Sequence, residues 1–242
     1  MSVSADSLKA WEGFWSEAPR GVGDVLWDTA PELAVALHLP LFAGHLGGGL
    51  PLVDVGCGNG TQTRFLAGRF AQVHGVDLSA AAIVRADEAD AAGHASYEQL
   101  DAADEAATAA LHERLGDCDV YLRGVLHQVP EADRAGLVRG LAVLAGSRGR
   151  IFAVEPAEAA KEVLAALARR PQGPPRTLLP VLRHGIAPGE VSDEALPRLF
   201  REAGLSVLAE GELPLATTEF EADGTRLVLP SKWLVTGRAA SA

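Results

Sequence analysis

The chain has 242 residues, 48% of them apolar and 22% charged, a composition that suits one domain with additions and a sizeable core. Its formal net charge is −11, it holds three lysines, and Arg169-Arg170 is its nearest approach to a basic run, so the charge argues against a nucleic-acid partner. Two cysteines, Cys57 and Cys118, form neither a zinc spacing nor a disulfide framework, and no His/Asp/Glu cluster has metal spacing.

In chain order, Trp11, Phe14 and Trp15 fall on one helical face, and Trp27 follows a break at Gly21-Val22-Gly23. A second helix from about Pro31 ends at His38-Leu39-Pro40, and Gly44 to Gly49 form a connector. Residues 1–49 are expected to form an N-terminal helical cap. Two readings stay open for it: a helix packed passively on the domain, or an aromatic lid over a substrate pocket. On the second reading Trp11, Trp15 and Trp27 are substrate contacts.

Leu52 to Val55 read as a short buried strand, apolar except for Asp54, running into Gly56-Cys57-Gly58-Asn59-Gly60. The pattern then turns helical over about 61–70, giving strand, glycine turn and helix, the ligand crevice of an open α/β sheet. A dinucleotide fingerprint would need glycine at position 61, where Thr61 stands. No triphosphate-binding loop pattern occurs. Val73 to Asp77 read as a second strand ending in an acid, which could accept hydrogen bonds from both hydroxyls of a ribose.

The alternation continues with a helix over about 79–92, strand three near 95–100 and a helix over about 104–115. Strand four covers about 118–123, a helix about 131–145, and strand five Arg150 to Glu155. Such alternation implies right-handed crossovers and a parallel sheet. Residues of about 156–190 interrupt it as an insertion, with a helix at Glu158 to Arg170, a proline-rich break and a short helix at Leu178 to Leu182. Ser192 is expected to cap a helix ending at Ala203-Gly204. Ser206 to Leu213 and Trp233 to Gly237 are expected as the last two strands, joined by a short hairpin that makes the final strand antiparallel.

Asp54 to Gly60, then Gly75-Val76-Asp77-Leu78-Ser79, resemble the first two nucleoside-binding motifs of class I S-adenosylmethionine-dependent methyltransferases. Gln99-Leu100-Asp101-Ala102 is similar to their acidic turn after strand three. Asp119 to Val129 is similar to their fourth strand and the segment after it. The resemblance covers roughly residues 50 to 155, and the rest in outline. It implies a seven-stranded, mostly parallel sheet with helices on both faces and an antiparallel last strand. Residues 50–242 would form the Rossmann-like cofactor-binding domain, with S-adenosylmethionine as cofactor. The resemblance places Asp54, Gly56, Cys57, Gly58, Asn59 and Gly60 around the cofactor's aminoacyl and ribose region. It places Asp77 and Leu78 at the ribose, and Asp101 and Ala102 at the adenine.

His127, just beyond strand four, is the candidate general base, with a pocket-shaping role as the alternative. Arg123 could pair with a carboxylate of cofactor or acceptor. Arg183 and His184 in the insertion are further acceptor candidates. The expected activity is methyl transfer to a small-molecule acceptor, oxygen favoured and nitrogen possible. A peptide or protein substrate, and a cofactor-binding protein that does not methylate, are the alternatives. A cytoplasmic monomer or homodimer without a membrane partner is expected, since no secretory leader pattern and no membrane-length apolar run is seen.

Overall fold

The protein is described by a computed structural model covering residues 5–21, 23–46, 49–186, 189 and 191–239. Val22 of the expected break, and Gly47 and Gly48 of the expected connector, lie outside the described residues.

The seven-stranded sheet contains β1 (Leu52–Val55), β2 (Val73–Asp77), β3 (Ser96–Gln99), β4 (Asp119–Arg123), β5 (Arg150–Pro156), β6 (Ser206–Glu212) and β9 (Ser231–Gly237). Its order is β3-β2-β1-β4-β5-β9-β6. β9 lies antiparallel between β5 and β6, and the other neighbouring pairs are parallel. The strand order reverses between β1 and β4, which opens a crevice at the carboxyl ends of those two strands.

All four residues of β1 are buried because helices cover both faces. Val53 and Val55 point to one face, into a core with Val120, Leu122, Ile151 and Ala153. Helices α5 (Glu105–Leu115), α6 (Glu131–Ala145) and α9 (Ala195–Glu202) close that core through Leu111, Leu141 and Phe200. Leu52, Tyr121, Phe152 and Val235 point to the other face. There they meet Val35 and Phe42 of α2 (Val35–Phe42) and Leu66 of α3 (Thr61–Ala67).

Sequence patterns locate most helix starts. Ser79 accepts from the Ala82 N–H and caps α4 (Ala80–Ala89), and Asp104 accepts from Ala106 and Ala107 and caps α5. Ser192 accepts from the Ala195 N–H, so it caps the turn that leads into α9. Gly140 in α6 marks a close approach: a β-carbon there would lie 1.9 Å from the Ala102 carbonyl oxygen. That contact seats the turn carrying Asp101 and Ala102.

A third apolar cluster lies over the carboxyl ends of the strands. It joins α1 (Ala5–Glu17), through Phe14 and Trp15, to α7 (Ala160–Ala168) and α8 (Leu179–Arg183), through Leu167 and Val181. The segment between β6 and β9 differs from the expected short joint. It carries its own two-stranded ribbon, β7 (Leu215–Phe220) and β8 (Arg226–Leu229), which projects over the crevice. Among the described residues, no helix is long and apolar enough to cross a membrane.

Candidate functional site

The glycine turn after β1 is built by backbone geometry. The Gly56 and Cys57 N–H groups both donate to the Val76 carbonyl, at 2.8 and 3.1 Å, which folds the turn back onto β2. Gly56 and Gly58 hold φ of +74° and +56°, a region that L side chains avoid. A β-carbon on Gly58 would also sit 2.7 Å from Trp15 Cζ2. The position therefore needs glycine twice over, for its backbone and for the ring of α1 that lies against it.

The acids gather around this turn. Asp77 Oδ2 accepts the Gly58 N–H and Oδ1 accepts the Ser79 N–H, both at 2.9 Å. Each oxygen keeps a lone pair for a further donor. Burial pushes the Asp77 carboxyl up to about 6, against the pull of those two N–H bonds. Burial likewise pushes Asp54 up to about 6, against a 2.6 Å bond from the Thr63 hydroxyl and the Arg123 charge. Asp101 Oδ1 accepts the Ala103 N–H at 2.9 Å, fixing the turn after β3.

A strap at residues 25–29 crosses the crevice and is tied down on several sides. Arg123 donates from both terminal nitrogens to the Trp27 carbonyl, at 3.2 and 3.1 Å. Asn59 Nδ2 donates to Asp28 at 2.6 Å, and Gln62 Nε2 to the Thr29 carbonyl at 2.9 Å. From β7, the Thr218 N–H donates to the Leu26 carbonyl at 2.9 Å. Trp27 is thereby held against Trp11 and Phe14, with ring centroids 5.9 and 5.4 Å apart.

Helix α1 is fastened to α4 by reciprocal capping. Glu12 accepts from the Ser79 hydroxyl at 2.6 Å and the Ala81 N–H at 3.2 Å, at the positive end of α4. Arg85 of α4 donates to the carbonyls of Ser16 and Ala18 at the other end of α1, at 3.3 and 2.6 Å.

Beneath this roof lies a cavity of about 460 Å³. One end is lined by the turn at 56–59, with Asp77, Leu78, Asp101 and Ala102. The other end is walled by Leu164, Ala165, Leu178, Val181, Ile186 and Leu229, from α7, α8, β8 and their flanks. His127 lines the same cavity. Its Nδ1 is 2.8 Å from Glu155 Oε2, and Glu155 also accepts the N–H groups of Val125, Leu126 and His127. His127 Nε2 is 2.7 Å from the Gln128 amide nitrogen.

Nearly all the expected residues meet here. Trp11, Trp15, Trp27, Asp54, Asn59, Arg123 and His127 line the cavity together with those already named. Gly60 does not; at φ +73° it starts α3, and a β-carbon there would press on Ala86 and Tyr97. Arg183 and His184 also lie outside this cavity. Both pair with Glu17, at 3.5 and 3.1 Å, and His184 faces an adjoining cavity with Asp6, Glu131 and Arg134. α8 turns Val181 inward and leaves Arg183 mostly exposed.

Several residues at this site escaped the sequence reading. Glu155 is an acid one residue before the end of β5, much as Asp77 is the acid that ends β2, so a similar signal was present. Tyr121 was hidden within an apolar strand. Its hydroxyl is 2.7 Å from His38 Nδ1, and burial with the Arg123 charge lowers His38 to about 3, keeping it neutral. Among the described residues, no three His, Cys, Asp or Glu side chains gather as a metal site would need.

The cofactor implied by the sequence resemblance fits these groups. A cradle that β-carbons would fill faces a carboxylate with lone pairs to spare, and the carboxylates of Asp28, Asp54 and Asp77 favour a cationic ligand.

Comparison with known proteins agrees. A family model described as "Methyltransferase domain" matches residues 52–149. A solved structure of a SAM-dependent methyltransferase from Anabaena variabilis is 31% identical, with a TM-score of 0.90 over 99% of this chain and 98% of that one. A structure that concerns conversion of a disulfide bond into a thioacetal group in echinomycin biosynthesis is 22% identical, with a TM-score of 0.67 over 98% and 92% of the two chains. Magnesium protoporphyrin IX methyltransferase from Synechocystis, with bound SAH, is 19% identical, with a TM-score of 0.56 over 97% and 95%. These last two share the fold. No curated protein matches the sequence.

Proposed function

This chain belongs to the SAM-dependent methyltransferases, and we propose that it methylates a small, largely apolar acceptor, with oxygen favoured over nitrogen as the accepting atom. S-adenosylmethionine (SAM) is its cofactor. When bound, it supplies a methyl on a positively charged sulfur, so the carbon–sulfur electron pair leaves on sulfur as the acceptor lone pair forms the new bond.

The protein's contribution is alignment and exclusion of water. In our reading the turn at Gly56, Cys57, Gly58 and Asn59, backed by Asp54, holds the aminoacyl side. Asp77 and Leu78 take the ribose, and Asp101 with Ala102 borders the adenine. Arg123 pairs with a carboxylate while holding the strap. Residues 1–49 act as a cap on the domain formed by residues 50–242, and the insertion at about 156–190 supplies the outer wall. His127 faces the methyl-transfer end and takes the acceptor's proton.

One observation carries the acceptor class. The cavity lined by Asp77 and His127 is also walled by Leu164, Leu178, Val181, Ile186 and Leu229. Apolar walls with few polar groups suit a small hydrophobic molecule. A peptide chain fits less well, because Trp11, Trp15 and Trp27 roof the space.

The test is titration calorimetry with SAM, then mass-shift screening of hydrophobic alcohols, phenols, acids and amines. Binding of the cofactor with methylation of a screened compound is expected. Methylation only of peptides would refute the acceptor class. His127→Ala should lower turnover and spare cofactor affinity.

A further inference from the structure

We propose that Glu155, His127 and Gln128 form one proton-accepting array, which commits the enzyme to acceptors that carry a proton on the atom to be methylated. The inference rests on the proposed methyl-transfer function and narrows it to a substrate class.

Glu155 is 1% exposed, and its two oxygens accept four N–H groups, three of them from the backbone of residues 125–127. An ionised carboxylate only accepts, so the imidazole nitrogen facing it, Nδ1, carries the hydrogen. Nε2 is then left with the lone pair. The Gln128 amide nitrogen, 2.7 Å away, donates to that lone pair. Gln128 Oε1 is buried and has no hydrogen-bond partner. A buried amide oxygen without a donor is costly.

The cavity resolves this arrangement. Gln128 lines both the main cavity and the adjoining one, so a molecule in either can reach its side chain. Gln128 holds the place of the acceptor. An acceptor O–H or N–H displaces the amide and donates to Nε2, and the freed amide presents Oε1 to a second donor. The proton passes to Nε2, and the electron pair of the broken O–H or N–H bond stays on the acceptor atom. The imidazolium so formed is stabilised by Glu155. Glu155 and Gln128 are positioning residues, and His127 is the group that meets the acceptor.

A tertiary amine or a thioether carries no proton to donate to Nε2, so it cannot replace the Gln128 amide there, and both are rejected. Pairing of a buried group left unmade in this way discriminates strongly between otherwise similar ligands.

The test reads the imidazole directly. Long-range proton–nitrogen NMR of ¹⁵N-histidine-labelled protein should show His127 as the Nδ1–H tautomer. Free histidine prefers the opposite one. Gln128→Leu should move the Nε2 resonance toward that of an unbonded lone pair, and Glu155→Gln should release the tautomer. A parent protein with His127 as Nε2–H, or an Nε2 resonance unmoved in Gln128→Leu, overturns the proposal. Glu155 holds three backbone groups, so a misfolded Glu155→Gln protein would give no reading; the parent tautomer and Gln128→Leu decide the matter without it. Calorimetry with SAM on the same samples separates the two readings, since failure to bind the cofactor would sink the methyltransferase reading instead.

Discussion

The Asp77 carboxylate accepts the Gly58 N–H at 2.9 Å, a side-chain bond that joins the acid at the tip of β2 to the glycine turn after β1. Two sequence signals that lie nineteen residues apart thus form one ligand cradle. Asp77→Ala should remove the proposed ribose acceptor and loosen the turn together. Hydrogen bonds to a charged group are each worth about 1.5–3 kcal/mol, so SAM affinity should fall at least a hundredfold or so. Titration calorimetry checks this, with circular dichroism to confirm the fold. A dissociation constant unchanged from the parent would remove Asp77 from the site.

Cofactor affinity should depend on pH in a known direction. Burial raises Asp77 and Asp54 to about 6, well above the ordinary aspartate value. Both are therefore ionised above that point and take up protons as pH falls through it. A protonated Asp77 loses its charge and an accepting lone pair, so binding should be strongest above pH 6 and weaken below it. Each proton taken up weakens it by up to about tenfold per pH unit. Calorimetry between about pH 5 and about pH 8 measures this. The sign for stability is the reverse of the usual carboxylate case: these groups cost stability as pH rises from the ordinary value through 6, and nothing further above it.

The cradle was legible because backbone rules impose it locally. Glycine at positive φ and an acid at a strand end are patterns within a few residues, and Asp77, Asp101 and the turn at 56–60 carry them. Glu155 is also an acid near a strand end, but no glycine turn follows it as one follows Asp54, so nothing local marked it as part of the site. The outer wall was not legible. Val181, Leu178 and Leu229 are ordinary apolar residues whose common cavity depends on contacts between distant segments. Arg183 and His184 stood out by residue type, yet α8 directs Val181 inward and both of them toward Glu17. The ribbon of β7 and β8 is short and of mixed pattern, and it owes its order to the strap and α7 that it packs against.

Glu12 should prove to be the latch of the cap. It holds the Ser79 hydroxyl and the Ala81 N–H at the start of α4, immediately after the Asp77-Leu78 tip. Capping interactions of this kind are worth about 0.5–2 kcal/mol. Glu12→Ala should therefore release α1 without unfolding the sheet. Limited proteolysis should cut the segment before β1 faster in the variant, and added cofactor should protect the parent more than the variant. Equal cleavage of the two proteins would show that the Arg85 bonds and the packing of Phe14 and Trp15 hold the helix without Glu12.

Filling the apolar end of the cavity should separate acceptor binding from cofactor binding. Ala165 of α7 lines that end, away from the glycine turn, so a larger side chain there enters open space rather than packed core. Ala165→Phe should leave the SAM dissociation constant near the parent value, because no group in the cradle moves. The acceptor that the mass-shift screen identifies should lose about 1–3 kcal/mol of binding in kcat/KM, roughly 10- to 200-fold. A smaller homologue of that acceptor should lose less. Equal losses for large and small acceptors would mean that the acceptor lies elsewhere, and a matching loss of cofactor affinity would mean that α7 borders the cofactor instead.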